Sequence, residues 1–217
     1  MTDGAAELEN LLKKLTPKGV SCAVLALDTD ILPLLPEEAR CVSRAVPSRQ
    51  REFAVGRWTL RLAIAKAGGA LPADQPILVG PLREPILPAE IGASLAHSSE
   101  FCAAVATMQP ELAIGLDIEN LSAMRPEGFT DEVQPYRAAE DFGGLLPFVA
   151  KEAIYKSQFR FTGQLLGFED AALVAKGDRL RARFGCGQEL RGRWGIAAGH
   201  LVAVTWRNAP PASVPND

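Results

Sequence analysis

The sequence has no apolar run approaching the ~20 residues needed to span a bilayer, so no membrane span is expected. It also lacks an excess of positive charge, with 23 Lys and Arg against 26 Asp and Glu and a formal net charge of −3. Without a global positive field to gather phosphates, a general nucleic-acid binder is disfavoured, and any anion site must come from local clusters. The four cysteines, Cys22, Cys41, Cys102 and Cys186, are far apart and none belongs to a C-x-x-C pair. That pattern supplies neither a zinc site nor a disulfide framework and favours reduced, mostly buried thiols in a cytoplasmic protein. The opening residues contain no basic stretch followed by an apolar core, so no secretory signal is visible. Internal repeats and low-complexity linkers are absent too, and there are only two histidines.

What is present is an ordinary globular composition: 217 residues, 47% hydrophobic and 23% charged, enough for one domain or two small ones with a sizeable core. Leu8, Leu11, Leu12 and Leu15 have helical spacing and predict a first amphipathic helix. Val20–Asp28 reads as a buried strand. Ser48 is a candidate N-cap for a helix over 49–67, which carries Arg57 and Arg61 on one face. The Pro- and Gly-dense stretch 71–93 predicts loop and turn. Three short apolar pieces at 93–96, 101–108 and 113–119 predict a β-meander, although the alanines of the first two also allow partial helix. Residues 120–144 read as a connection containing a short helix, 148–161 as a helix, and 171–206 as strands broken by glycines. The final segment, APPASVPND, is too polar and proline-rich to hold structure.

Four groups of residues carry possible chemistry. Asp117 and Glu119, two apart on a predicted strand, project from one face. Beside an otherwise buried strand the pair calls for a counter-ion, which Mg²⁺ supplies with one or two carboxylates, water and phosphate oxygens. The plainer alternative is a strand end whose acids turn into solvent. Glu152 and Lys156 share a helix face one turn apart, either as a surface ion pair worth ~0.3–0.5 kcal/mol or as a metal ligand beside a phosphate-neutralising lysine. His97-Ser98 lies at a turn and is either structural or a phosphate donor. Arg49, Arg51, Arg57 and Arg61 form either a solvated helix face or a phosphate cluster, for which the forked guanidinium is well suited. His200 has no visible partner in the sequence.

Taken in order, Gly56-Arg57-Trp58-Thr59-Leu60-Arg61, Gly80-Pro81, Pro85-Ile86-Leu87-Pro88, Ala93-Ser94-Leu95-Ala96-His97-Ser98, Gly115-Leu116-Asp117-Ile118-Glu119 and Phe148-Val149-Ala150-Lys151-Glu152-Ala153-Ile154-Tyr155-Lys156 resemble the 4′-phosphopantetheinyl transferases. The resemblance spans about Arg49 to Phe168 and is closest to the branch serving siderophore, polyketide and nonribosomal peptide synthesis. It implies an α+β fold, a pseudo-dimer of two similar α/β subdomains (1–112 and 113–207, with a disordered tail at 208–217) and an active site at their junction. It also implies transfer of the phosphopantetheine arm of coenzyme A to a serine of an acyl, peptidyl or aryl carrier protein, with Mg²⁺, releasing 3′,5′-ADP. By motif, Asp117, Glu119 and Glu152 correspond to metal ligands, and Glu152 and Lys156 to the catalytic pair. Lys151 and Lys156 would meet the pyrophosphate, His97 and Ser98 a coenzyme A phosphate, and Arg51, Arg57 and Arg83 the nucleotide end. The implied protein is a cytoplasmic monomer. Ala96 stands where the family usually has a serine, which removes one hydroxyl from the phosphate site. The competing readings are a different Mg²⁺-dependent phosphoryl-transfer enzyme and a non-catalytic relative that binds coenzyme A or carrier proteins.

Overall fold

In the computed structural model, which describes residues 3–163 and 166–208, strand and helix periodicities sort the chain into two sheets, each backed by a long helix. The first three elements are α1 (Asp3–Leu15), β1 (Val20–Ala26) and a short α2 (Pro36–Cys41). They lead to α3 (Pro47–Lys66), β2 (Gly92–His97), β3 (Phe101–Thr107) and β4 (Leu112–Asn120). The remainder is α4 (Phe129–Glu132), β5 (Tyr136–Arg137), α5 (Leu145–Thr162), β6 (Ala171–Lys176), β7 (Arg179–Phe184), β8 (Glu189–Ala197) and β9 (His200–Asn208). The fold is mixed α+β.

One sheet has the order β1-β3-β2, all antiparallel; the other has the order β4-β9-β8-β7-β6-β5, antiparallel except for the β5–β6 pair. The expected meander is therefore cut after β3, because β4 pairs with β9 and opens the second sheet. The two sheets meet where β2 lies against β4, and the backbone N–H of Leu116 donates to Ser94 Oγ at 3.0 Å.

β3 is buried along its whole length, which explains an alanine-rich sequence that also allowed helix. Phe101, Ala103 and Val105 face the core formed with α1, β4 and β9, while Ala104 and Ala106 face α3. Small side chains on that second face let the helix lie close. α1 buries Ala5, Leu8, Leu12 and Leu15 in the first of these cores. Fully burying a leucine contributes ~1.5–3 kcal/mol, so this helix is held by its packed stripe.

α3 begins at Pro47, with Val46 at the N-cap and no side-chain cap, so Ser48 lies inside the helix. Proline suits the first helical turn because its missing N–H has no intrahelical partner there. α5 starts three residues before the predicted helix, at Leu145, after two glycines, Gly143 and Gly144, with φ of 65° and 85°. The 120–144 connection holds the short helix α4, as the pattern suggested, and adds the two-residue strand β5. The predicted unstructured tail lies outside the described residues from position 209 onward, and Asn208 ends β9.

Candidate active site

Strand periodicity in β4 divides its side chains cleanly. Ile114, Leu116 and Ile118 enter the core shared with α1, whereas Gly115, Asp117 and Glu119 belong to the face turned toward α5. Helical spacing in α5 does the same for Glu152, Lys156 and Arg160 at i, i+4 and i+8. All five charged side chains line a cavity of about 1000 Å³ at the junction of the sheets. That volume lies at the upper end of the range for ligand pockets.

At the α5 side of the cavity, Lys156 Nζ donates to Asp117 Oδ1 at 2.7 Å and to the Leu116 carbonyl at 3.1 Å. Asp117 is 7% exposed, and its Oδ2 is buried without a hydrogen-bond partner. Burial pushes the Asp117 carboxyl above its ordinary range, against the pull of Lys156. Burial also raises Glu119 and Glu152, and in each case the nearby Asp117 charge raises it further. An orphaned buried carboxylate oxygen whose charge is felt by two neighbouring acids is an arrangement that a hard divalent cation relieves. The three acids line the cavity without enclosing an ion: among the described residues no group of three His, Cys, Asp or Glu is arranged as a complete ligand set. A cation held here takes its remaining ligands from water and from a bound substrate, as Mg²⁺ commonly does.

The opposite side is cationic. Arg57, 4% exposed, donates from Nε to the Ile77 carbonyl at 2.8 Å and lies 4.1 Å from the Phe53 ring centroid. Burial lowers its pKa to about 10, which leaves it charged at neutral pH. Arg83 stands at the rim on a tight turn with φ of 70°, closed by the Val79–Pro85 bridge. Arg49 donates to Glu52 Oε2 and approaches His97 Nε2, both at 3.0 Å. A guanidinium has only donors, so His97 Nε2 is the acceptor of that pair. Burial lowers the His97 pKa below its usual value, with Glu52 opposing and Arg49 assisting.

Four sequence-predicted residues do not line this cavity. Arg61 donates to Glu38 Oε1 at 2.8 Å and to the Gln75 carbonyl at 2.7 Å, tying α3 to α2 and to the 75–77 segment. Arg51 donates to the carbonyls of Leu27 and Thr29, fixing the turn after β1. Lys151 is 2% exposed and donates to the Phe168 carbonyl at 2.5 Å in a separate small pocket; burial lowers its pKa to about 8. It is adjacent to Glu152, so the helix turns it about 100° away. Ser98 is buried, its hydroxyl donating to His200 Nε2 at 3.0 Å and accepting from the Glu100 and Phe101 backbone N–H groups. His200, fully buried, donates from Nδ1 to the Ala198 carbonyl and packs edge-on to Phe101. The two residues bind β2, β3 and β9 together.

Ser98→Ala is therefore expected to cost about 1–2 kcal/mol, because it leaves a buried imidazole nitrogen unpaired. A thermal melt should show a fall of ~2–8 °C, while titration of an anionic ligand into the cavity gives an unchanged affinity. A large loss of affinity with an unchanged melting temperature would instead place Ser98 at the ligand.

Sequence reasoning left one cavity cation without a site. Arg160 lines the cavity and donates to the carbonyls of Ala89 and Ile91, holding the 89–91 segment against α5. Its signal was the i+4 continuation from Lys156. Arg49, named with the basic group of α3, does reach the cavity together with Arg57. Ala96 is buried with the core beneath β2 and also borders the cavity.

Comparisons with known proteins bear on the family of the chain. The family model described as the 4′-phosphopantetheinyl transferase N-terminal domain matches residues 37–107, which include α3, β2, β3 and the loop bearing Arg83. The 4′-phosphopantetheinyl transferase PptT of Mycobacterium tuberculosis is 34% identical over 166 residues, covering 72% of this chain and 71% of that protein. Npt of Nocardia iowensis is 33% identical over 176 residues, covering 76% of each, and Svp of Streptomyces mobaraensis is 34% identical over 165 residues, covering 70% of this chain and 65% of that protein. Both carry the same description. At this extent of identity and coverage, the chain belongs to the 4′-phosphopantetheinyl transferase family.

Proposed function

We propose that the cavity binds coenzyme A and that the protein transfers its 4′-phosphopantetheine arm to a serine hydroxyl of an apo carrier protein. The observation that carries this reading is the convergence of Asp117, Glu119, Glu152 and Lys156 with Arg49, Arg57, Arg83 and His97 on one cavity. A ligand with a pyrophosphate and a further phosphate matches such a division. The arginines hold the nucleotide end by forked hydrogen bonds. Lys156, one helical turn from Glu152, meets the pyrophosphate. Mg²⁺ at Asp117, Glu119 and Glu152 supplies charge neutralisation on the phosphate oxygens.

The serine oxygen forms a bond to the β-phosphorus, the bond from that phosphorus to the bridging oxygen breaks, and 3′,5′-ADP leaves with the electron pair. Catalysis of this step rests mainly on in-line placement and neutralisation of spread negative charge. Glu152, with its pKa raised, is suited to take the serine proton directly or through water. All four residues needed for transfer are present, which favours an enzyme over a non-catalytic relative. We place the two subdomains at 1–112 and 113–207 as a pseudo-dimer, supported by the long helix behind each sheet. The partner is a carrier of acyl, peptidyl or aryl groups, and the protein works as a cytoplasmic monomer. No helix among the described residues is long and apolar enough to cross a membrane.

Incubation with apo carrier protein, coenzyme A and Mg²⁺ should raise the intact mass of the carrier by one phosphopantetheine, and EDTA should prevent it. Because the cavity carboxyls have raised pKa values, protons compete with Mg²⁺ at a higher pH than for ordinary acids. The Mg²⁺ concentration for half-activation should therefore climb as pH falls through the region above the usual carboxylate range. Coenzyme A binding without any mass gain across a panel of carriers would support the non-catalytic relative.

A further inference from the structure

The outer face of β6, β7 and the first half of β8 carries cations in register. Along β7 the pattern alternates, with Leu180, Ala182 and Phe184 buried toward α5 and Arg179, Arg181 and Arg183 exposed on the other side. The register sets Arg179 opposite both Arg193 and Lys176, and Arg181 opposite Arg191. Directly opposed like charges weaken a sheet. Acids do little to offset this. Glu189 is opposite Arg183, but among the described residues none of these six cations has an acidic partner within salt-bridge distance. Arg193 alone reaches a backbone acceptor, the Lys14 carbonyl at the end of α1. In a chain of net charge −3, this concentration on one face leaves the rest of the molecule distinctly acidic.

We propose that this face docks an acidic helical surface of a partner protein, on the side of the second sheet away from α5 and the cavity. The cations form a grid spaced about 5 Å across strands and about 7 Å along them. Carboxylates at i, i+3, i+4 and i+7 of a helix stand about 5–6 Å apart and match it. Arginine supplies five of the six cations, and its planar fork engages carboxylates in pairs. A nucleic acid fits less well. The outward positions of β6, β7 and β8 carry no aromatic side chain on which bases stack, and the nearest one, Trp206 opposite Arg191 on β9, is half-buried against the core under α1. A long polyanion or an extended anionic bilayer would also run beyond the patch onto acidic surface. A compact protein surface need touch only the patch. The proposal stands independently of the transfer reaction, because no residue of this face lines the cavity.

The test uses the full chain and the double variant Arg179→Glu with Arg181→Glu. Fluorescence anisotropy would follow a short Glu-rich helical peptide, a single-stranded oligonucleotide of equal charge, and phosphatidylserine vesicles. The peptide should bind the natural protein with strong salt dependence and bind the variant at least about tenfold more weakly. Coenzyme A affinity should be equal in both proteins, and the variant should melt at the same or a higher temperature, because each new glutamate faces an arginine. Equal peptide binding by the two proteins, or preference for the oligonucleotide or the vesicles over the peptide, would overturn the proposal.

Discussion

Asp117→Asn is expected to lower phosphopantetheine transfer by a factor of roughly 10²–10³ while leaving the fold intact, the magnitude associated with removing one preorganised electrostatic contact at a reacting centre. The side chain keeps its shape, and its carbonyl oxygen still accepts from Lys156 where Oδ1 does now, at 2.7 Å. What disappears is the negative charge on the buried oxygen that has no partner in the protein. The loss should therefore fall on turnover and on Mg²⁺ activation, with coenzyme A binding reduced less, since Arg49, Arg57 and Arg83 line the cavity from α3 and the 79–85 turn and make no contact with Asp117. Intact-mass kinetics at several Mg²⁺ concentrations, alongside a melting curve, separate the two effects. Full activity at ordinary Mg²⁺ would remove Asp117 from the reaction. A collapse in melting temperature would assign the residue a structural role.

The largest stability effect is expected at Gly115, two residues earlier on the same strand face. A Cβ there would lie 1.9 Å from the Ala153 carbonyl oxygen and 2.7 Å from the Ser157 nitrogen, both backbone atoms of α5. The helix cannot yield locally, because Thr205 Oγ1 donates to the Ala153 carbonyl and also shares a 2.9 Å hydrogen bond with Ser157 Oγ. Gly115→Ala must move α5 off the sheet, at a cost near the top of the overpacking range, about 3 kcal/mol. For a chain of this size that corresponds to ~6–12 °C in melting temperature. Glu152 and Lys156 flank Ala153 on α5, so activity should fall with stability. A melting temperature within a degree or two of the natural protein's would show that the helix and sheet are less tightly coupled than this contact implies.

Gly115 illustrates how far the sequence can be read. It stood in the Gly-Leu-Asp-Ile-Glu motif and marked the strand, but the reason for a glycine is a helix backbone almost forty residues later. Period-two and period-3.6 patterns placed Asp117 with Glu119 and Glu152 with Lys156, because those pairs depend only on local geometry. The same local rule put Arg57 and Arg61 on one face of α3, yet only Arg57 reaches the cavity, because Arg61 turns to Glu38 and the Gln75 carbonyl. Arg51, grouped with Arg57 by the family resemblance, turns instead to carbonyls after β1. Lys151 misled for a related reason: adjacency in a motif says nothing of direction on a helix. Ser98 required knowledge of His200, which lies 102 residues away and joins it only through the pairing of distant strands.

By itself, then, the sequence determined the α+β element pattern, the family motifs, and the residue types from which an anion- and cation-binding cavity is made. These follow from periodicity, turn chemistry and composition, all short-range properties of the chain. Tertiary structure alone decided that β4 leaves the first sheet to pair with β9, that the acids of β4 and α5 share one cavity with Arg49, Arg57 and Arg83, and that Arg51, Arg61, Lys151 and Ser98 stand outside it. It also decided that the arginines of β7 and β8 share one exposed face. Each of these depends on which strands pair and which helix face meets the sheet. Those choices are settled by burying all the apolar faces at once and pairing the polar groups left between them.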